Sequence, residues 1–378
     1  MINKIVIFIG SKKDYNKFLK KEISNDEETV SFMELIQHYN AKLRPADSAY
    51  GDNQNLRKRN IGNCIVKADD YASVLEHVMS NFVNLVTLNN NIDTLFVQNP
   101  PKRVLNSLKS EYEDIITYKY SKYPNIDRKK LKTIWQNLNK DVIGQIGGKK
   151  KVVSAMYKLT TNKKDKPVVL LLYGPSGVGK TETAKSISKT MGGELLRIQF
   201  SMMQTNEAYN YIFGSEHSKS SMAKELELRE SNVILFDEFD KINEIFYNAF
   251  YELFNEGTLE DTNYKINLSK CIFICTSNFE SEEEIKKTLG AAMYSRIGAC
   301  IQYEQLVLEE KEIIVRDFYD EMLKNLKADE IQVVEKSNIL RWFLNNISRY
   351  DNIRILKTKL ETAFFETLTE KFIFEELT

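Results

Sequence analysis

The stretch Val168-Val169-Leu170-Leu171-Leu172-Tyr173-Gly174-Pro175-Ser176-Gly177-Val178-Gly179-Lys180-Thr181 decides the fold. Its first six residues are a continuous apolar run of strand length, the pattern of a strand buried on both faces of a parallel sheet. The next eight fit GxxxxGK[ST] in full, and a helical stretch from Glu182 to Met191 follows. Strand, glycine-rich loop and helix therefore stand in the order a phosphate-binding loop needs. Glycines let backbone N–H groups converge on phosphate oxygens at a helix N-terminus. Lys180 neutralises β- and γ-oxygens, and Thr181 offers its hydroxyl to Mg²⁺. A merely structural strand-to-helix turn needs neither the lysine nor the threonine. The nucleotide-binding candidates are Gly174, Pro175, Ser176, Gly177, Val178, Gly179, Lys180, Thr181 and Glu182, the last at the head of the helix.

Two further strand patterns lie downstream. Val233 to Phe236 ends in Asp237-Glu238, a carboxylate pair at the sheet edge where ligands bind in open α/β folds. Asp237 is placed to hold the Mg²⁺ shell and Glu238 to polarise an attacking water. Cys271 to Cys275 ends in Thr276-Ser277-Asn278. An amide at Asn278 suits hydrogen bonds to a γ-phosphate oxygen and to water, although strand-end Asn also serves as a plain turn former.

Away from this stretch the sequence sets limits. At 378 residues the chain suggests two or three domains of about 150 residues. Lys+Arg and Asp+Glu both number 53, so no global field attracts nucleic acid, and the clusters Lys149–Lys151 and Lys163, Lys164, Lys166 read as solvated faces. Ile5 to Gly10 is too short to cross a membrane and lacks the flanks of a signal peptide, so a cytoplasmic protein is the expectation. Four cysteines form no CxxC pair, which argues against structural zinc and a disulfide framework. Twelve of the 15 glycines fall between Gly144 and Gly298, and none follows. Binding loops are therefore expected in the middle and helices in the tail.

Ahead of the central stretch, short strands at Lys4–Ile9, Thr94–Gln98 and Ile115–Tyr118 alternate with helices at Tyr71–Leu88 and Lys102–Tyr112, a small α/β domain. Ala46–Asn60 reads as a long loop whose Arg57, Lys58 and Arg59 form a solvated face. Asp127–Asn139 reads as a connecting amphipathic helix with Leu131, Ile134, Trp135 and Leu138 on one side. The division expected is 1–123 for an N-terminal recognition domain, 124–141 for a linker helix, 142–305 for an α/β module and 306–378 for a helical region.

Taken together, VIGQ (Val142–Gln145), GPSGVGKT, ILFDEFDK (Ile234–Lys241), NEGTLED (Asn255–Asp261) and IFICTSN (Ile272–Asn278) resemble the AAA+ ATPases. The likeness is to the Clp chaperone branch, and within it to the second ATPase module of the large disaggregases. It covers roughly two-thirds of the chain, from Val142 onward. The resemblance implies a parallel sheet flanked by helices, a C-terminal helical lid over 306–378, ATP and Mg²⁺ as ligands, and a homo-oligomeric ring or spiral, hexamer-like, acting on a protein. Three helical patterns and a short strand candidate, Ile331–Val334, would make the lid. Arg296, in Tyr294-Ser295-Arg296-Ile297, matches the arginine that reaches the γ-phosphate of a neighbouring subunit, though its neighbours depart from the family pattern and a surface salt bridge is the alternative. Arg354, in Asn352-Ile353-Arg354-Ile355-Leu356-Lys357, matches the lid arginine, with Arg349 as competitor. Val142 and Ile143 match the adenine-contacting segment, although both would equally suit a core.

One departure bears on function. The Clp pattern carries a glycine-flanked aromatic loop that grips threaded polypeptide. Here Ile212-Phe213-Gly214-Ser215-Glu216-His217-Ser218-Lys219-Ser220 holds no Gly-Tyr-Val-Gly, and Tyr209, Tyr211 and Phe213 supply aromatic surface nearby. The sequence is compatible with two functions: an ATP-hydrolysing oligomer that remodels a protein chosen by the N-terminal domain, and an ATP-gated sensor or scaffold that activates a separate effector without threading. A DNA-directed loader is disfavoured by the zero net charge.

Overall fold

The computed structural model describes residues 1–24, 27–43, 58–161, 166–203 and 206–374. Two five-stranded sheets, parallel throughout, follow one another along the chain. The first contains β1 (Ile2–Ile9), β2 (Thr29–Ser31), β3 (Arg59–Val66), β4 (Asn90–Gln98) and β5 (Ile116–Tyr120) in the order β2-β3-β4-β1-β5. Its helices are α1 (Lys12–Glu22), α2 (Phe32–Leu43), α3 (Glu76–Ser80), α4 (Phe82–Thr87) and α5 (Lys102–Tyr112). On one face of β1, Val6 and Phe8 pack with Tyr15 and Leu19 of α1. On the other, Ile5 and Ile7 join a larger core with Phe32 of α2, Phe82 of α4 and Leu108 of α5. Burial on both faces is why β1 is apolar without alternation.

Here the structure corrects the sequence reading. The expected helix over Tyr71–Leu88 is broken: Asp70–Ser73 is a 3-10 turn, Leu75 is extended at ψ 158°, and Asn81 at φ −110° separates α3 from α4. The Asn81 amide donates to the His77 carbonyl and so closes the end of α3. Strands β2 and β3 lie beyond what the sequence pattern predicts. Arg59 and Asn60, assigned by that pattern to a loop, open β3, with Arg59 paired to Glu28. Residues 46–57 of that loop, Arg57 among them, and Lys163 and Lys164 lie outside the described residues.

The second sheet contains β6 (Val168–Tyr173), β7 (Leu196–Gln199), β8 (Val233–Asp237), β11 (Ile272–Thr276) and β12 (Ala299–Gln302), ordered β12-β6-β11-β8-β7, beside a hairpin of β9 (Thr258–Glu260) and β10 (Lys265–Asn267). Its helices are α6 (Arg128–Asp141), α7 (Ile146–Met156), α8 (Lys180–Met191), α9 (Asn206–Phe213), α10 (Met222–Glu227), α11 (Tyr247–Glu256) and α12 (Glu282–Tyr294). Alternate residues of β6 divide between two cores. Val168, Leu170 and Leu172 face α6, α8 and the C-terminal helices, while Val169, Leu171 and Tyr173 face α10–α12. Phe200, Phe236, Phe239, Phe250, Phe254 and Phe273 pack in edge-on, stacked and tilted pairs within the second core.

The helix read as a connection belongs to this packing. Asp127 caps α6 by accepting the Lys130 N–H at 2.6 Å, and Leu131, Ile134 and Leu138 are buried. Asn137 and Lys130 both bond to Thr190 at the end of α8.

The tail is helical, as its lack of glycine predicts: α13 (Leu308–Leu323), α14 (Ala328–Lys336), α15 (Ile339–Asn345) and α16 (Ile353–Thr369). The strand expected at Ile331–Val334 is instead part of α14. Glu330 accepts the Lys327 N–H at 2.7 Å to close the helix start, and Val334 is buried in the first of the two cores. Among the described residues no strand pairs with this β-branched run, so helical packing overrides its propensity.

The carboxyl edge of the first sheet meets the second. Lys102, at the start of α5, donates its backbone N–H to the Asn263 carbonyl at 2.7 Å and its ammonium to Glu260 and the Asp261 carbonyl, each at 2.6 Å. The Tyr123 hydroxyl donates to the Arg229 carbonyl at 3.0 Å, and His217 Nε2 lies 2.9 Å from the Val74 carbonyl oxygen. Among the described residues no helix is long and apolar enough to cross a membrane.

Candidate functional site

At the carboxyl edge of the second sheet, β6, β8 and β11 deliver the loop and acidic side chains that the sequence singles out. One cleft is lined by Ser176, Gly177, Gly179, Lys180, Thr181, Glu182, Arg197, Asp237, Glu238, Thr276, Ser277, Asn278, Ile353, Arg354 and Lys357. The loop needs its glycines for shape. At Gly174, φ is +129° and a Cβ would lie 2.1 Å from the Tyr303 carbonyl oxygen; at Gly177, φ is +86° and a Cβ would press on Asn352 and Ile353 at the start of α16. The loop is thereby seated between β12 and the lid.

Lys180 is 8% exposed and donates to the Gly174 and Pro175 carbonyls at 2.5 and 2.7 Å, with the Asn278 Oδ1 at 3.4 Å. Burial lowers its pKa to about 8; Asp240 and Asp237 oppose that shift and Arg354 adds to it. A phosphate would replace the two carbonyls and favour the charged form.

Asp237 is 6% exposed, and both its oxygens are occupied. The Thr276 hydroxyl donates to Oδ1, while Arg197 presents Nε at 2.8 Å and Nη2 at 2.5 Å to Oδ2. Glu238 adopts the left-handed conformation at φ +57°, its N–H donating to Thr276 at 3.1 Å and its Oε2 accepting from the Gln199 amide at 3.4 Å. A non-glycine residue held there costs about 1–3 kcal/mol, and surrounding structure must over-determine it. Here the turn from β8 aims the Glu238 carboxylate into the cleft.

These residues suit a nucleoside triphosphate with Mg²⁺. Ser277 also lines the cleft, and its hydroxyl is buried with no hydrogen-bond partner among the described residues. Among the described residues no group of three or more His, Cys, Asp or Glu side chains can hold a metal alone. A metal at Asp237 and Thr181 would therefore take its remaining ligands from phosphate and water, the usual arrangement for Mg²⁺.

Of the other candidates, Arg354 opens α16, where its N–H donates to Asn352, and it lines the cleft; its competitor Arg349 does not. Gly174, Pro175 and Val178 shape the loop from behind the lining. Val142 is buried against Gly179, its Cγ1 3.0 Å from where a Cβ would sit there, and Ile143 is half-buried. Neither lines the cleft. Arg296 lies apart from it: Nη1 donates to the Ala292 carbonyl at 2.6 Å and the guanidinium covers the Tyr251 ring at 4.6 Å. Arg197 and Gln199 are not among the residues the sequence singles out. Their signal is the alternation Arg197-Ile198-Gln199 on a strand next to β8, which puts the two polar residues on one face.

Comparison with known proteins agrees with this geometry. Residues 165–332 match the family described as AAA domain (Cdc48 subfamily). The chain is 24% identical to the chaperone protein ClpB of Malacoplasma penetrans over 276 residues, covering 66% of this chain and 39% of that protein. With ClpB of Prochlorococcus marinus it shares 26% identity over 328 residues, 76% of this chain and 38% of the relative. The ATP-dependent Clp protease ATP-binding subunit ClpC of Staphylococcus aureus is 22% identical over 254 residues, 57% and 31% of the two chains. These matches thus span less than two-fifths of each relative's length.

Proposed function

We propose that this chain, whose residues 165–332 form an AAA module of the Clp branch of AAA+ ATPases, hydrolyses ATP in an oligomer and uses the cycle to remodel a protein partner engaged by its N-terminal domain. The observation that carries the reading is the convergence of Lys180, Thr181, Asp237, Glu238, Asn278 and Arg354 on one cleft. Thr181 and Asp237 are the residues to hold Mg²⁺, which when bound supplies charge neutralisation along the β- and γ-phosphates. Lys180 turns from the Gly174 and Pro175 carbonyls to the phosphates. Glu238 orients and deprotonates the attacking water, and Asn278 holds the γ-phosphate from the β11 side. Arg354 brings the lid onto the nucleotide. Arg296, outside its own chain's cleft, is assigned to the cleft of a neighbouring copy in a ring or spiral. Such a guanidinium accelerates hydrolysis by about 10³ to 10⁵.

A second reading has its own support. The loop that stands where the family grips polypeptide lacks the aromatic motif, and its His217 meets Val74 of the N-terminal domain. That contact favours an ATP-gated scaffold that activates an effector without threading. A fluorescent protein fused to a segment captured by residues 1–123 separates the two. With ATP the remodelling reading predicts assembly and progressive loss of fluorescence; assembly with fluorescence intact supports the scaffold, and neither assembly nor loss overturns both.

A further inference from the structure

The carboxylate assigned to the metal is already engaged by a cation. Arg197 reaches Asp237 Oδ2 through both Nε and Nη2, at 2.8 and 2.5 Å, from the neighbouring strand β7. Thr276 takes the other oxygen. Asp237 is almost wholly buried while the Arg197 side chain is 48% exposed, so the guanidinium is the partner able to leave. Register fixes the approach: Gln199 stands opposite Asp237 and Arg197 opposite Leu235, which brings the long arginine side chain up to the strand end from one pleat below. Its Nη2 also donates to Gln199 Oε1 at 3.1 Å, and the Gln199 amide in turn reaches Glu238 and Ser201. A buried carboxylate with no cation beside it is costly, and a guanidinium that clamps one oxygen from two nitrogens meets that need.

We propose that Arg197 is a resident counter-ion of Asp237 which Mg²⁺ must displace, so that the guanidinium sets the Mg²⁺ concentration at which the site takes nucleotide tightly. This rests on the nucleotide reading of the cleft. The two cations compete for the same oxygen, because Oδ1 stays committed to Thr276. Arg197 is itself part of the cleft lining, so a displaced guanidinium would stay beside an anionic ligand bound there. Arg197 is thus a positioning residue that acts through Asp237.

The test is a Mg²⁺ titration of binding of a fluorescent ATP analogue to the full chain, read by anisotropy without turnover. Arg197→Met should lower the Mg²⁺ midpoint at least threefold. Arg197→Lys, which keeps the charge but loses the two-nitrogen clamp, should fall between and guards against a Met variant that fails to fold. A merely structural role would weaken binding equally in Mg²⁺ and in EDTA and leave the midpoint where it was. An unchanged midpoint in folded variants that still bind the analogue overturns the proposal. Failure of the wild-type chain to bind the analogue at any Mg²⁺ concentration overturns instead the nucleotide reading beneath it.

Discussion

At the scale of single residues, the cleft is a balance of buried charges. Lys180 is the sharpest case, since burial brings its pKa down to about 8 before any ligand arrives. Phosphate binding favours the ammonium, so below pH 8 the site is already charged and above it each binding event must take up a proton. Affinity for ATP should hold steady from about pH 6.5 to 7.5 and then fall, approaching tenfold per pH unit above about 8. Calorimetric titration across this range checks it, and flat affinity up to about pH 9.5 would contradict the assignment. Much of this site is legible in the sequence. A glycine-rich loop admits few residue types, and Asp237-Glu238 after an apolar strand places itself. The alternation Arg197-Ile198-Gln199 marks Arg197 only as a polar residue on one strand face; its role comes from the pairing of β7 with β8, which no local pattern encodes. Arg296 stands out by its sequence surroundings alone, and within one chain it covers Tyr251 and points to no phosphate site.

Among the elements, the strands flanking the phosphate loop are readable because burial on both faces leaves an unbroken apolar run. Short edge strands leave no such trace: β2 has three residues, and only Val30 among them is buried. The run Ile331–Val334 shows the opposite failure, a strand-forming sequence carried into α14 by its neighbours. The amphipathic stripe of α6 is plain in the sequence, but a stripe does not say what it packs against. In the structure Leu131, Ile134 and Leu138 share a core with Leu170 and Leu172 of β6 and with Ile187 of α8. Leu138→Ala should therefore destabilise the nucleotide-binding module by about 2–5 kcal/mol. Denaturant unfolding followed by loss of bound fluorescent nucleotide measures this; a change under about 0.5 kcal/mol, the level of an exposed site, would return α6 to the status of a tether.

For the whole molecule, the unexpected feature is how the N-terminal sheet is seated. In open α/β sheets the crevice outside the carboxyl ends of the strands is where ligands bind. Here that edge is closed from within, Asn99 and Gly10 exchanging two hydrogen bonds at 2.8 and 2.9 Å, and it lies against the second sheet's hairpin and loops. Lys102 grips the β9–β10 hairpin, His217 meets Val74, and Lys13 pairs with Glu230. Behind these contacts Glu227 is buried, its pKa pushed up to about 8 by burial, with Arg229 opposing and Asp261 adding. Composition foretells two or three domains but not that they are coupled through such a surface. The loop around His217 and the hairpin that Lys102 holds thus join the two sheets directly.

The proposed function depends on hydrolysis at the cleft, and one comparison addresses it most directly: phosphate release and nucleotide binding measured side by side for the wild-type chain and for Glu238→Gln. The account predicts Mg²⁺-dependent release by the wild type, a fall of at least about a hundredfold in the variant, and ATP affinity within about threefold of wild type, because the substitution removes the base and leaves Lys180, Thr181 and Asp237 in place. Undiminished release from Glu238→Gln, with binding intact, would contradict it.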